Sequence, residues 1–135
     1  MQNITPLFPS VAAAAAALLG LLWAFLTVQV IRNRVRFDTQ AGDGGHPDLA
    51  QAIRAHANLA ENVPMALLLL VLAEAGGAQR GIVLGLAGVL VLARFANAWG
   101  LSHSLGPTTA RQAGAGMTIL VTVLAALLMG YRLLA

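Results

Sequence analysis

Apolar residues fill the chain in long blocks separated by short polar interruptions. The first block, residues 7–31, is Ala-rich from Ala12 to Ala17 and then Leu-rich, with Trp23 and Phe25. Its length suffices to cross the ~30 Å of hydrocarbon in a bilayer. No Lys or Arg precedes it, whereas Arg32, Arg34 and Arg36 follow at once. A cleavable signal peptide carries its positive charge in front of the apolar run. The pattern therefore predicts a retained spanning helix over about 7–34, with its N-terminus outside and its arginine-rich end in the cytosol.

Gly42, Gly44, Gly45 and Pro47 punctuate a cytosolic loop at about 35–47. No strand precedes these glycines and no Lys-Ser/Thr pair closes them, which argues against a phosphate-binding loop. A second helix is expected over about 48–74, capped by Asp48, amphipathic in its first half and apolar on all sides in its second. Glu74, Gly76, Gly77, Gln79 and Arg80 form an outer turn. The third helix, about 80–101, carries Gly81, Gly85 and Gly88 at the spacing that admits a neighbouring helix. After a brief loop from Ser102 to Thr109, containing His103 and Pro107, the fourth helix runs over about 110–134. Arg111, Thr118 and Thr122 share one of its faces. The expectation is a single all-α domain over 1–135, an integral membrane four-helix bundle with both termini outside.

Composition agrees: 59% hydrophobic, 10% charged and a mean hydropathy of +0.78 belong to a membrane protein. All eight Lys and Arg positions are arginine, the residue whose planar fork suits carboxylates and phosphates. The cations flank apolar spans and do not form a basic surface, so no nucleic-acid partner is expected. With no cysteine, any thiol chemistry has to come from a ligand. His46, His56 and His103 share no facial spacing with carboxylates, and no metal site is expected.

The stretch from Arg54 to Pro64 does not fit a lipid-facing helix. Helical steps of about 100° bring Arg54, Asn58 and Glu61 within about 60° of one another. Pro64, just after Glu61, should bend or loosen the helix there. The topology brings Arg94 and Asn97 of helix three to the same cytosolic half. A charge at mid-membrane depth costs about 2.5–3.5 kcal/mol on insertion scales, so such residues should face one another or an aqueous cavity. Two readings remain open: an ion-pair and amide network that fixes the packing of the bundle, for example Glu61 with Arg54 or Arg94, or a cytosol-facing pocket for a small zwitterion bearing more than one carboxylate.

The run Arg54-Ala-His-Ala-Asn58-Leu-Ala-Glu61-Asn-Val-Pro64, the preceding Gly42-Asp-Gly-Gly45 and the arginine-rich loop resemble the MAPEG family, the membrane-associated proteins in eicosanoid and glutathione metabolism. The resemblance extends over the whole chain and implies a homotrimer that binds glutathione between subunits, on the cytosolic side. It assigns glutathione contacts to Arg54, Asn58 and Glu61, to Arg32 (less securely Arg34) and to Arg94. It places Arg111 beside the glutathione sulfur, where a guanidinium favours the nucleophilic thiolate. The implied activity is a glutathione transferase, with peroxidase activity as a further capacity, acting on lipophilic electrophiles from the bilayer near Phe25, Thr118 and Thr122. The expected location is the bacterial inner membrane.

Ala57, Asn97, Trp99 and Gln112 depart from arginine, histidine, tyrosine and serine found at these places in other members. These departures keep open a non-catalytic scaffold that binds lipid or a partner protein. A four-span drug/proton exporter is a weaker alternative, because helix one has no carboxylate.

Overall fold

A computed structural model describes residues 8–103, 106 and 108–134. Residue 7, the expected start of the first helix, and Pro107 of the last connection lie outside the described residues. Four helices, α1 (Ser10–Arg36), α2 (Pro47–Ala75), α3 (Arg80–His103) and α4 (Thr109–Leu134), make up the fold, with no strand among the described residues. All four are long and apolar enough to cross a membrane. The α2–α3 pair forms the centre: α1 and α4 each pack on both of these helices, and no described part of α1 approaches α4.

The core follows a helical stripe of small and branched residues. Ala15, Leu19, Leu22 and Leu26 of α1 meet Ala55, Leu59, Val63, Ala66 and Leu70 of α2, while Leu90 of α3 and Val121 of α4 are buried on the inner side. Large apolar residues such as Leu21, Phe25, Leu92 and Leu127 point outward, as expected where lipid is the solvent.

The helix ends are closed by specific bonds. At the end of α2, Gly77 takes a φ of 78°, and the N–H groups of Gly77 and Ala78 donate to the carbonyls of Glu74 and Ala73. This is a Schellman closure, which requires the left-handed conformation that glycine adopts without strain. Arg132 adds a bond from the end of α4, its Nη2 lying 2.7 Å from the Gly76 carbonyl. On the loop side, Arg34 Nη1 donates to the carbonyls of Thr39 and Gly42 at 3.2 and 3.3 Å.

α2 continues as one helix through Pro64. Three local expectations change. Asp48 is not the cap of α2: the cap position is His46, which makes no side-chain cap bond, and Asp48 pairs with Arg36 at 3.3 Å. Gly81, Gly85 and Gly88 face open space in the protomer. Glu74 belongs to the last turn of α2 and is buried, and its carboxylate oxygens accept the N–H groups of Val11 and Ala12 at 3.0 and 2.8 Å. It supplies the N-terminal cap of α1 that the local sequence lacks, where the helix dipole favours negative charge.

Candidate functional site

The polar cluster is assembled by a glycine seam between α3 and α4. A Cβ on Gly114 would lie 2.5 Å from the Ala93 carbonyl oxygen and 2.9 Å from the Asn97 nitrogen. One on Gly100 would lie 3.0 Å from the Arg111 nitrogen. Only glycine allows the two backbones this close, and the approach carries the start of α4 onto the polar end of α3.

Arg94 is 1% exposed and links three helices. Its Nη1 donates to Asn58 Oδ1 on α2 at 3.1 Å and its Nη2 to the Gly114 carbonyl on α4 at 3.4 Å. Its Nε is buried without a partner among the described residues, and no carboxylate there pairs with it. Asn97, 3% exposed, donates from Nδ2 to the Arg111 carbonyl at 2.9 Å. Side-chain amides and a guanidinium thus fix the α2, α3 and α4 backbones around one another.

Arg111 sits in the first turn of α4. Thr108 Oγ1 accepts its backbone N–H at 3.3 Å, the geometry of an N-terminal helix cap, and its Nη1 reaches the Gly106 carbonyl at 3.5 Å. The side chain is half-buried. A guanidinium and the positive end of a helix dipole therefore share one locus, an arrangement that favours an anion.

Arg54 and Glu61 are exposed on the protomer surface, and neither makes an ion pair or side-chain hydrogen bond among the described residues. Among the described residues Glu61 pairs with neither Arg54 nor Arg94; of the packing network that the sequence left open, the amide part is present, in Arg94–Asn58 and Asn97–Arg111, and the ion-pair part is not. Asn58, between them, is half-buried with its Oδ1 turned to Arg94, and its carbonyl also accepts from Asn62 Nδ2 at 2.8 Å. Arg32 lies elsewhere, exposed on the wall of a cavity at the arginine-rich end of α1 whose lining includes none of Arg54, Asn58, Glu61, Arg94 or Arg111. The structure thus joins Asn58, Arg94, Asn97 and the Arg111 backbone, and leaves Arg54 and Glu61 facing outward from the same helix.

Thr118 and Thr122 of α4 donate their hydroxyls one turn back, to the Gly114 and Thr118 carbonyls at 2.8 Å each. Thr118 is buried, which places it in the seam and not on an outer surface. Among the described residues no three His, Asp or Glu side chains converge on a point where a metal ion could sit. Sequence reasoning did not anticipate Gly100, Gly114 or Thr108. Their only signal was position, small residues flanking the α3–α4 turn.

The profile of the MAPEG family matches residues 11–131. The inner membrane protein YecN of Escherichia coli strain K12 and that of Escherichia coli O6:H1 are each 35% identical to this chain over 96 residues, covering 70% of the chain and 72% of the relative.

Proposed function

The chain belongs to the MAPEG family, and on that premise we propose that it is an inner-membrane glutathione transferase, working as a homotrimer on lipophilic electrophiles drawn from the bilayer. The observation that carries the reading is the charge of Arg54 and Glu61 on the α2 surface, which is unpaired among the described residues. Charged groups within a spanning helix are too costly to leave against lipid, so a polar ligand and a second copy of the chain have to cover them. Glutathione fits: Glu61 takes its ammonium, Arg54 takes a carboxylate through paired charge-assisted bonds, and Asn58 adds an amide. Arg94 acts from behind, holding the Asn58 side chain. Arg32 enters from a neighbouring subunit, since it is remote from this face within its own protomer.

Arg111 and the start of α4 hold the glutathione sulfur as thiolate, the thiol proton passing to water. The sulfur lone pair then forms the bond to the electrophilic carbon, and the leaving group departs with its bonding electrons. Reduction of lipid hydroperoxides by the same thiolate is a further capacity of such a site.

Glutathione titrated into the detergent-solubilised protein tests the reading. Saturable binding, weakened in Glu61→Gln without loss of the oligomer, is expected. Protein that binds neither glutathione nor an S-alkyl glutathione would overturn it, and would favour the scaffold role consistent with Ala57 and Gln112.

A further inference from the structure

A proline inside a helix has no N–H to give, and the carbonyl four residues earlier loses its donor. In α2 the proline is Pro64 and the carbonyl is that of Ala60, yet the helix runs through without interruption. A spanning helix tolerates such a gap where a neighbouring helix, a Ser or Thr hydroxyl or an ordered water supplies the missing bond. α2 contains no Ser or Thr between Pro47 and Ala75. The side-chain donors of this turn go elsewhere: Asn62 Nδ2 donates to the Asn58 carbonyl at 2.8 Å, and Arg94 Nη1 lies 3.5 Å from the same oxygen. Asn58 thus collects two side-chain donors, whereas Ala60, two residues on, receives none among the described residues.

The gap opens onto the proposed ligand face. Ala60, Glu61 and Pro64 are all exposed on the protomer surface, while Leu59 and Val63 are buried on the core side. The Ala60 carbonyl belongs to the same peptide unit as the Glu61 nitrogen, so one small ligand group can meet both this carbonyl and the Glu61 carboxylate. Both are acceptors, and Glu61 makes no ion pair among the described residues. One charged and one neutral oxygen, with no protein donor between them, suit a positive group that carries several N–H bonds. A primary ammonium has three. Two oxygens are too few for a hard metal cation such as calcium, which takes six or more. Backbone carbonyls released from the helical ladder serve as cation ligands in other spanning helices for the same reason.

We propose that Pro64 is a specificity residue: by lacking an N–H it leaves the Ala60 carbonyl to accept, together with Glu61, the primary ammonium of the ligand. The site then takes thiols with a free α-amino group and discriminates against those in which that group is acylated or missing. The inference rests on the placement of the glutathione ammonium at Glu61. It adds a second acceptor, and a reason for a proline in the middle of this turn.

S-hexylglutathione and its deaminated analogue, with glutaryl in place of γ-glutamyl, are titrated into the detergent-solubilised protein. Neither has a thiol, so ionisation of sulfur does not enter. Wild type should prefer the amine about a hundredfold, and Pro64→Ala should cut this preference to about tenfold by weakening S-hexylglutathione alone, a loss the size of one hydrogen bond to a charged group. α2 already follows a helical path through position 64 and alanine is the better helix former, so this variant is expected to fold. Pro64→Leu returns the same N–H but keeps apolar bulk, and should match Pro64→Ala. Equal weakening of both ligands, no weakening of either, or a loss in Pro64→Ala that Pro64→Leu does not share overturns the proposal and leaves the glutathione reading standing. Wild-type protein that binds neither ligand overturns the glutathione reading, and this inference with it.

Discussion

Arg94 on α3 holds the side chain of Asn58 on α2, with Nη1 3.1 Å from Oδ1, although thirty-six residues separate them in the chain. The guanidinium is fully enclosed, has no carboxylate partner among the described residues, and spends its other arm on the Gly114 carbonyl. A buried cation without a counter-charge is a poor stabiliser, because desolvation offsets what its hydrogen bonds contribute. Its retention makes sense if the value lies in where it puts Asn58.

In Arg94→Met, relief of the buried charge without a counter-charge is offset by leaving Asn58 Oδ1 and the Gly114 carbonyl without this donor, so the thermal midpoint in detergent is expected to change little. Glutathione affinity should nevertheless fall about tenfold, equivalent to about 1.4 kcal/mol. Thermal unfolding followed by tryptophan fluorescence, with glutathione titration alongside, checks both. A lowered midpoint with unchanged affinity would make Arg94 a packing residue only.

Glu74 stabilises the opposite end of the molecule. Its two oxygens accept the N–H groups of Val11 and Ala12, which the local sequence leaves without a side-chain cap. Glu74→Ala leaves both donors buried without an acceptor and should cost about 1–3 kcal/mol. Glu74→Gln keeps one acceptor and should cost about half as much. Thermal unfolding measures the order; glutathione binding, at the other end of the bundle, should not change.

The helices were legible because spanning segments are written in composition, and their ends in Arg32 to Arg36 and in the Gly76-Gly77 turn. The polar face of α2 was legible because Arg54, Asn58 and Glu61 are close in sequence and helical geometry fixes their common side. What the sequence did not disclose was contact across helices. Glu74 looked like a turn residue because its acceptor role is satisfied by N–H groups sixty-odd residues away. The small-residue spacing of Gly81, Gly85 and Gly88 pointed to close packing, but those positions face outward in the protomer, whereas single glycines at 100 and 114 form the seam. Spacing shows that a helix can approach, not which neighbour it meets.

That seam gives a sharp test. A methyl group at Gly114 would lie 2.5 Å from a backbone carbonyl, which cannot rotate away, so α4 has to move off α3. Gly114→Ala should cost about 1–3 kcal/mol, the usual range for overpacking, and should pull the Arg111 carbonyl from Asn97 Nδ2. Gly85→Ala, with open space around it, is the control and should change the protomer's stability by no more than about 0.5 kcal/mol. Equal losses in the two variants would show that α3 and α4 are not packed as described.

Arg111 decides between binding and chemistry. A guanidinium near the sulfur lowers the pKa of bound glutathione by favouring the charged form. Thiolate is the nucleophile, so conjugation rises with pH as the bound thiol ionises and levels off above its pKa. Removing the cation raises that pKa. In Arg111→Ala the rise should therefore move to higher pH, with the deficit largest at neutral pH and shrinking as the solution becomes alkaline enough to ionise the thiol unaided. On the proposed reading glutathione is held by Arg54, Asn58 and Glu61, so affinity for an S-alkyl glutathione, which has no thiol to ionise, should change little in this variant. The checks are the pH profile of conjugation to an aryl halide and the ultraviolet absorbance of the bound thiolate. A profile that falls by the same factor at every pH would assign Arg111 to positioning the sulfur, and an unchanged profile would remove it from the reaction.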